Sequence, residues 1–116
     1  YMKTIRGILF VIFLFEGVTK LLSLDFQVTF FTNWGYSLSF MYIIGALEVL
    51  GAIGLLIKPL RLLANIGLIG IMIGALYTHL SSGDAIQMMV LAVVASVLLV
   101  IHLSKYLKAR KTSLAK

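Results

Sequence analysis

Gly45-Ala46-Leu47-Glu48-Val49-Leu50-Gly51-Ala52-Ile53-Gly54-Leu55-Leu56 is the stretch that decides how this chain is read. It is an apolar run, long enough to cross most of a bilayer, with one carboxylate near its middle. Gly45, Glu48, Gly51 and Ala52 recur at helical spacing, so the acid shares a face with the small residues. Small residues mark the places where membrane helices approach each other closely. Glu48 is therefore expected to point into a protein interior and away from lipid. An ionisable side chain kept at that depth is a candidate functional residue by default.

Composition extends this reading to the whole chain. Of 116 residues, 61% are hydrophobic and only 12% charged, and the mean hydropathy is +1.09. A soluble domain sits nearer half apolar and a quarter charged. An integral membrane protein of one domain follows, covering residues 1–116. There is no cysteine, which excludes thiol–disulfide relays, thiolate metal sites and iron–sulfur clusters.

Four hydrophobic segments can be drawn, at about 4–24, 39–57, 62–80 and 86–104, each close to the roughly 20 residues needed to span. Lys3 and Arg6 precede the first, and Lys58 and Arg61 join the second to the third. Lys105, Lys108, Arg110, Lys111 and Lys116 follow the fourth in a basic tail, 105–116. Nine of the ten basic residues thus fall on one side, and Lys20 is the exception. The positive-inside rule then predicts an all-α, antiparallel four-helix membrane bundle with both termini cytoplasmic. The net charge of +6 reads as topology and attraction to anionic lipid. It is not a nucleic-acid footprint.

The first segment carries Glu16 and Lys20, four apart with the acid first, the favourable order for an ion pair along one helix face. Those charges, and the lack of a small-x-small cleavage site, mark a retained span and not a signal peptide. The connection from Asp25 to Leu38 holds Phe26, Phe30, Phe31, Trp34 and Tyr36. Five aromatics suit an aromatic belt at headgroup level better than a lid over the outer mouth. Asn33-Trp34-Gly35 has turn chemistry. Pro59 forces a tight turn between the second and third segments. Gly67, Gly70 and Gly74, with Thr78 on the same face, predict a close-packing seam on the third. Asn65 and His79 project from a different side of that helix. Asp84 is a candidate cap for the fourth helix, with Gln87 in its first turn, and His102 near the inner end reads as an interfacial histidine.

Two motifs, Gly45-x-x-Glu48-x-x-Gly51-Ala52-x-Gly54-Leu55-Leu56 and Gly74-Ala75-x-x-Thr78-His79, follow Phe15-x-Gly17-x-x-Lys20-Leu21 in order. With Pro59 and Ala64-x-x-Gly67, they resemble the DoxX-like family of small four-helix membrane proteins, over about Phe13 to Leu80. The resemblance implies a protein of the bacterial plasma (inner) membrane. Some members are linked to thiosulfate:quinone oxidoreduction, some to membrane redox complexes, and distant eukaryotic relatives to assembly. Gly17, Lys20, Glu48, Thr78 and His79 are the positions that match. Glu16 does not map onto the family pattern.

Depth gives these residues a geometry. At about 1.5 Å per residue, Glu16 and Glu48 fall near mid-membrane, slightly to the outer side. Lys20, His79 and Gln87 fall nearer the outer face, beneath the aromatic segment. A pocket opening outward is expected, with Glu48 at its floor, either protonated or paired with Lys20 or His79. Glu48, Lys20, His79, Glu16, Thr78 and Trp34 are the candidate ligand-binding or proton-handling residues. Gly45, Gly51, Gly67, Gly70 and Gly74 are the candidate packing residues. No metal site is expected, and no histidine pair is placed like haem ligands.

Three functions fit this pattern. The first is binding of a quinone or lipid-like molecule as an accessory to membrane redox chemistry, with electrons supplied by a partner redox subunit. The second is a non-catalytic assembly or structural role, in which Glu48 and Lys20 fix helix register. The third, a small proton-linked transporter, is weakened by small size and the lack of a broken helix. A homodimer is expected because four short helices bury few residues completely.

Overall fold

A computed structural model of the chain describes the backbone of residues 2–83 and 86–115 and the side chains of 2–83 and 89–111. Asp84 and the side chain of Gln87, with the cap expected there, lie outside the described residues. The described chain is all-helical: α1 (Met2–Leu21), α2 (Asp25–Asn33), α3 (Leu38–Leu56), a 3₁₀ turn (Lys58–Leu60), α4 (Arg61–Ser81) and α5 (Ile86–Ala115). Three stretches are long and apolar enough to cross a membrane: Leu38–Leu56, Lys58–Ser81 and Met89–Lys111. Met2–Leu21 joins them as a fourth when combined with Asp25–Asn33 across an 80° bend.

The buried residues form stripes at helical spacing. On α1 the stripe is Ile5, Leu9, Phe13, Gly17 and Lys20. On α3 it is Met41, Gly45, Glu48, Ala52 and Leu55. On α4 it runs through Ala64, Leu68 and Met72, and on α5 Ala95 and Leu99 are buried. Apart from Met41, the hydrophobic side chains of these stripes meet in one core; of the charged members, Lys20 closes the α1 stripe and Glu48 sits in the middle of the one on α3. Large apolar side chains such as Val11, Leu50 and Leu63 point outward. In water that surface would be a liability; toward hydrocarbon it is the expected exterior.

Helix α1 crosses α3 at two glycines. A Cβ on Gly17 would lie 2.6 Å from the Gly45 carbonyl oxygen, and one on Gly45 would lie 2.8 Å from Lys20 Cβ. Gly51 is similarly tight, against Leu68. The glycines of α4 behave differently. A Cβ on Gly67, Gly70 or Gly74 would meet nothing within 4 Å. Among the described residues, then, the seam expected along α4 is not formed, and Gly70 and Gly74 line a cavity.

The aromatic connection is a helix rather than a loop. Asp25 sits in the first turn of α2, where a negative charge complements the unpaired backbone N–H groups. Its end is set by Gly35, at φ +83°, a left-handed conformation that glycine adopts without steric cost. Gly35 N–H donates to Thr32 O at 3.0 Å and Tyr36 N–H to Phe31 O at 2.9 Å, the two bonds of a Schellman cap. Phe31 and Tyr36 pack ring to ring behind it, centroids 6.0 Å apart. Ser37 then caps α3, its side chain accepting from Phe40 N–H at 3.2 Å. Pro59 lies in the first turn of the 3₁₀ segment, where its missing N–H has no helical partner to lose.

Candidate functional site

The close Gly17–Gly45 crossing lets side chains one turn away from it reach across. Lys20, one turn beyond Gly17, places Nζ 2.8 Å from Glu48 Oε1 on α3. The same ammonium donates to Glu16 Oε2 at 3.0 Å. Lys20 is 6% exposed and Glu48 1%, so this is an interior cluster. Gln27 Nε2 on α2 donates to Glu16 Oε2 at 3.1 Å and to Thr19 Oγ1 at 2.9 Å. Thr19 Oγ1 in turn donates to the Glu16 carbonyl at 3.1 Å. One ammonium therefore serves two carboxylates, and an amide from the bent helix holds the outer one in place.

The Lys20–Glu48 contact has ion-pair distance without hydrogen-bond alignment. Among the described residues, Glu48 Oε1 has no hydrogen-bond partner. Burying both ions costs several kcal/mol each, and their attraction offsets that only when the remaining lone pairs are satisfied. Lys20 Nζ is the donor that faces this oxygen, and both side chains line a cavity.

That cavity, of about 570 Å³, takes its walls from every helix. Glu16, Lys20 and Glu48 form its polar end. Phe30, Phe31 and Trp34 of α2, with Tyr36 and Phe40 after it, form an aromatic side. Ile71, Met72, Leu91 and Ala95 supply apolar wall, and Gly70 and Gly74 leave room that side chains would fill. Lys20 Nζ sits 5.9 Å from the centre of the Phe31 ring, within range of a cation–π attraction.

Thr78 and His79 border the same space. His79 packs edge-on against Trp34, centroids 5.1 Å apart, and against Phe30 at 6.4 Å. Among the described residues it is Lys20 that pairs with Glu16 and Glu48. The Tyr36 hydroxyl and Thr78 Oγ1 lie 2.9 Å apart, and Thr78 donates to the Gly74 carbonyl at 2.8 Å. Thr78 thus uses its own proton locally and accepts from Tyr36. All six candidate residues, Glu16, Lys20, Trp34, Glu48, Thr78 and His79, line the one cavity.

A family model described as the DoxX-like family matches residues 4–102. The chain belongs to the DoxX-like family. No curated protein and no solved structure matches it. A DoxX-like chain with these apolar helices is a multi-pass membrane protein in contact with the bilayer.

Two residues of this DoxX-like site are invisible to motif reasoning. Gln27 and Thr19 are buried, at 3% and 5% exposure, yet neither belongs to a recognisable pattern. The one available signal is that Gln27, on a strongly aromatic stretch, has no reason to be there unless something polar faces it. The aromatic belt is also corrected in part. Phe31 is 5% exposed, because the bend at α2 turns its ring onto the cavity and not toward headgroups. Three His, Asp or Glu side chains do not come together among the described residues as a metal site would require.

Proposed function

We propose that this protein binds a quinone or a similar lipid-like molecule in the aromatic-walled cavity, as an accessory to membrane redox chemistry. The observation that carries the reading is the asymmetry of the cavity. Its polar end holds a buried carboxylate paired with an ammonium, and its walls are aromatic and aliphatic. A pocket with many apolar contacts and a few convergent polar groups at one end orients an amphiphile head-down. Two carboxylates share one ammonium, which favours a head that donates hydrogen bonds, such as the hydroxyl of a quinol, over an anionic one. Aromatic rings would hold the ring faces, and Lys20 would donate to a carbonyl in the oxidised form. A bound quinone supplies two-electron redox chemistry; the protein's own part is to orient it, exclude water and hold a proton at Glu48.

The reading includes a topology and a setting. One domain spans the bacterial plasma membrane as an antiparallel four-helix bundle, α1 with α2 making the first span and both termini cytoplasmic. The cavity then opens toward the outer half, and electrons come from a partner redox subunit. Two copies of the chain associate as a homodimer, which would cover apolar surface that one copy leaves exposed.

Trp34 is the chain's only tryptophan and lines the cavity, so its fluorescence reports occupancy. Titration with a short-chain quinol in detergent is expected to quench it saturably. Glu48→Gln keeps shape and removes the charge; it is expected to bind about tenfold more weakly, the loss of one hydrogen bond to a charged acceptor. Equal quenching by both proteins would leave the cluster as a fastener of α1 to α3 and favour the assembly role.

A further inference from the structure

A second buried polar cluster stands at the other end of the molecule. Arg6 Nε on α1 donates to His102 Nε2 on α5 at 3.2 Å. The imidazole therefore carries its proton on Nδ1, which donates to Asn65 Oδ1 on α4 at 3.0 Å. Asn65 Nδ2 donates to the Arg61 carbonyl at 2.7 Å. Arg61 in turn donates from Nε to Leu55 O at 2.7 Å and from Nη2 to Leu56 O at 3.3 Å, closing the end of α3. Asn65 and His102 are fully buried. His102 is thus not the interfacial histidine the sequence suggests: α5 runs on to Ala115, and the ring faces inward at Asn65.

This relay starts at the Arg6 guanidinium and ends at the Arg61 backbone carbonyl, while the Arg61 side chain turns to the end of α3. Arg6 and Arg61 are joined through His102 and Asn65 at this one end of the bundle, and like charges in a poorly solvated setting repel. The sequence has no carboxylate to place between them. Of its four acids, Glu16 and Glu48 are engaged with Lys20, about 15 Å further along α1 by helical rise. Asp25 opens α2, beyond the far end of α1. Asp84 follows the far end of α4 in the sequence. Each guanidinium keeps its Nη1 free of any bond among the described residues. Beside Arg61 in sequence, Leu56, Leu60 and Leu63 expose half or more of their apolar surface or close to it, at 50%, 45% and 70%.

We infer that Arg6 and Arg61 hold the phosphate group of an anionic lipid, with its acyl chains along Leu56, Leu60 and Leu63. Two planar guanidiniums match a phosphate's oxygens better than point charges do. The missing counter-ion comes from outside the chain, and the apolar rim selects a lipid over free phosphate. The His102–Asn65 bridge serves as the positioning element that fixes Arg6. This site does not depend on the reading of the aromatic cavity.

The test uses the full chain in nanodiscs of phosphatidylcholine doped with phosphatidylglycerol, read by retained lipid in native mass spectrometry and by melting temperature. One phosphatidylglycerol is expected to be retained and to raise the melting temperature. Arg6→Gln should weaken retention about tenfold, the loss of charge-assisted bonds. Arg6→Lys, which keeps the charge, should still lose several-fold, a readout that survives if the glutamine variant fails to fold. Lys3→Gln and Lys58→Gln remove the same charge from the same end and should change retention less than about twofold. Equal losses in all four variants would overturn the site in favour of diffuse charge. Inorganic phosphate that protects undoped nanodiscs as well as phosphatidylglycerol does would overturn the lipid assignment.

Discussion

Lys20→Met is expected to destabilise the protein by about 3–5 kcal/mol, the usual loss when one partner of a buried ion pair is removed. The substitution keeps most of the side chain's length and apolar bulk, so packing alone changes little. What it removes is the one cation that, among the described residues, pairs with both Glu16 and Glu48, and Glu48 is only 1% exposed. Either that group takes a proton or the α1–α3 contact opens to water. Adding Glu48→Leu should then recover most of the loss, because an apolar pair of similar volume is often as stable as a buried ion pair. The same logic applies to Glu16, whose effect should be non-additive with that of Lys20 in a double-mutant cycle. Thermal unfolding in detergent measures all of these. Additive losses, or a Lys20→Met variant as stable as the parent, would show that the three charges do not act as one cluster.

Gly17→Ala is the second large effect, and its contrast with Gly74→Ala matters more than its size. A Cβ at position 17 would sit 2.6 Å from the Gly45 carbonyl oxygen and 2.9 Å from the Val49 backbone N. Backbone atoms of a packed helix cannot step aside as a flexible side chain can. Helices α1 and α3 must move apart, at about 1–3 kcal/mol or more, the range for overpacked cores. The movement also withdraws Lys20 from Glu48, so ligand binding should fall with stability. At Gly74 the new methyl enters open cavity space. Gly74→Ala should stabilise or be neutral, since alanine favours the helix by up to about 1 kcal/mol. Gly74→Leu should keep the fold and lower quinol affinity by filling the cavity. Melting temperatures of the two alanine variants decide the matter; similar values would contradict the separation of packing glycines from cavity glycines.

That separation marks where sequence reading stops. Gly17, Gly45, Gly67, Gly70 and Gly74 share a spacing rule and an apolar setting, and the rule identifies a face without saying what lies opposite it. Glu48 and Lys20 were legible because an ionisable residue in an apolar helix demands a partner, and the inventory of partners was short. Gln27 was not, since an aromatic stretch bounded by turn residues gives no helical period to place it. His102 was misread for a related reason. Its burial depends on how far α5 continues past the apolar run, and the basic tail gives no signal of that. Membrane insertion and helical content, by contrast, follow from composition and run length, which are local properties.

Mass spectrometry of small molecules that co-purify with the protein from its native membrane, compared with Gly74→Leu purified in parallel, tests the central claim most directly. The cavity reading predicts one quinone per chain in the parent and its depletion when the cavity is filled. Parent and variant carrying the same lipids, with no quinone enriched in either, would contradict it.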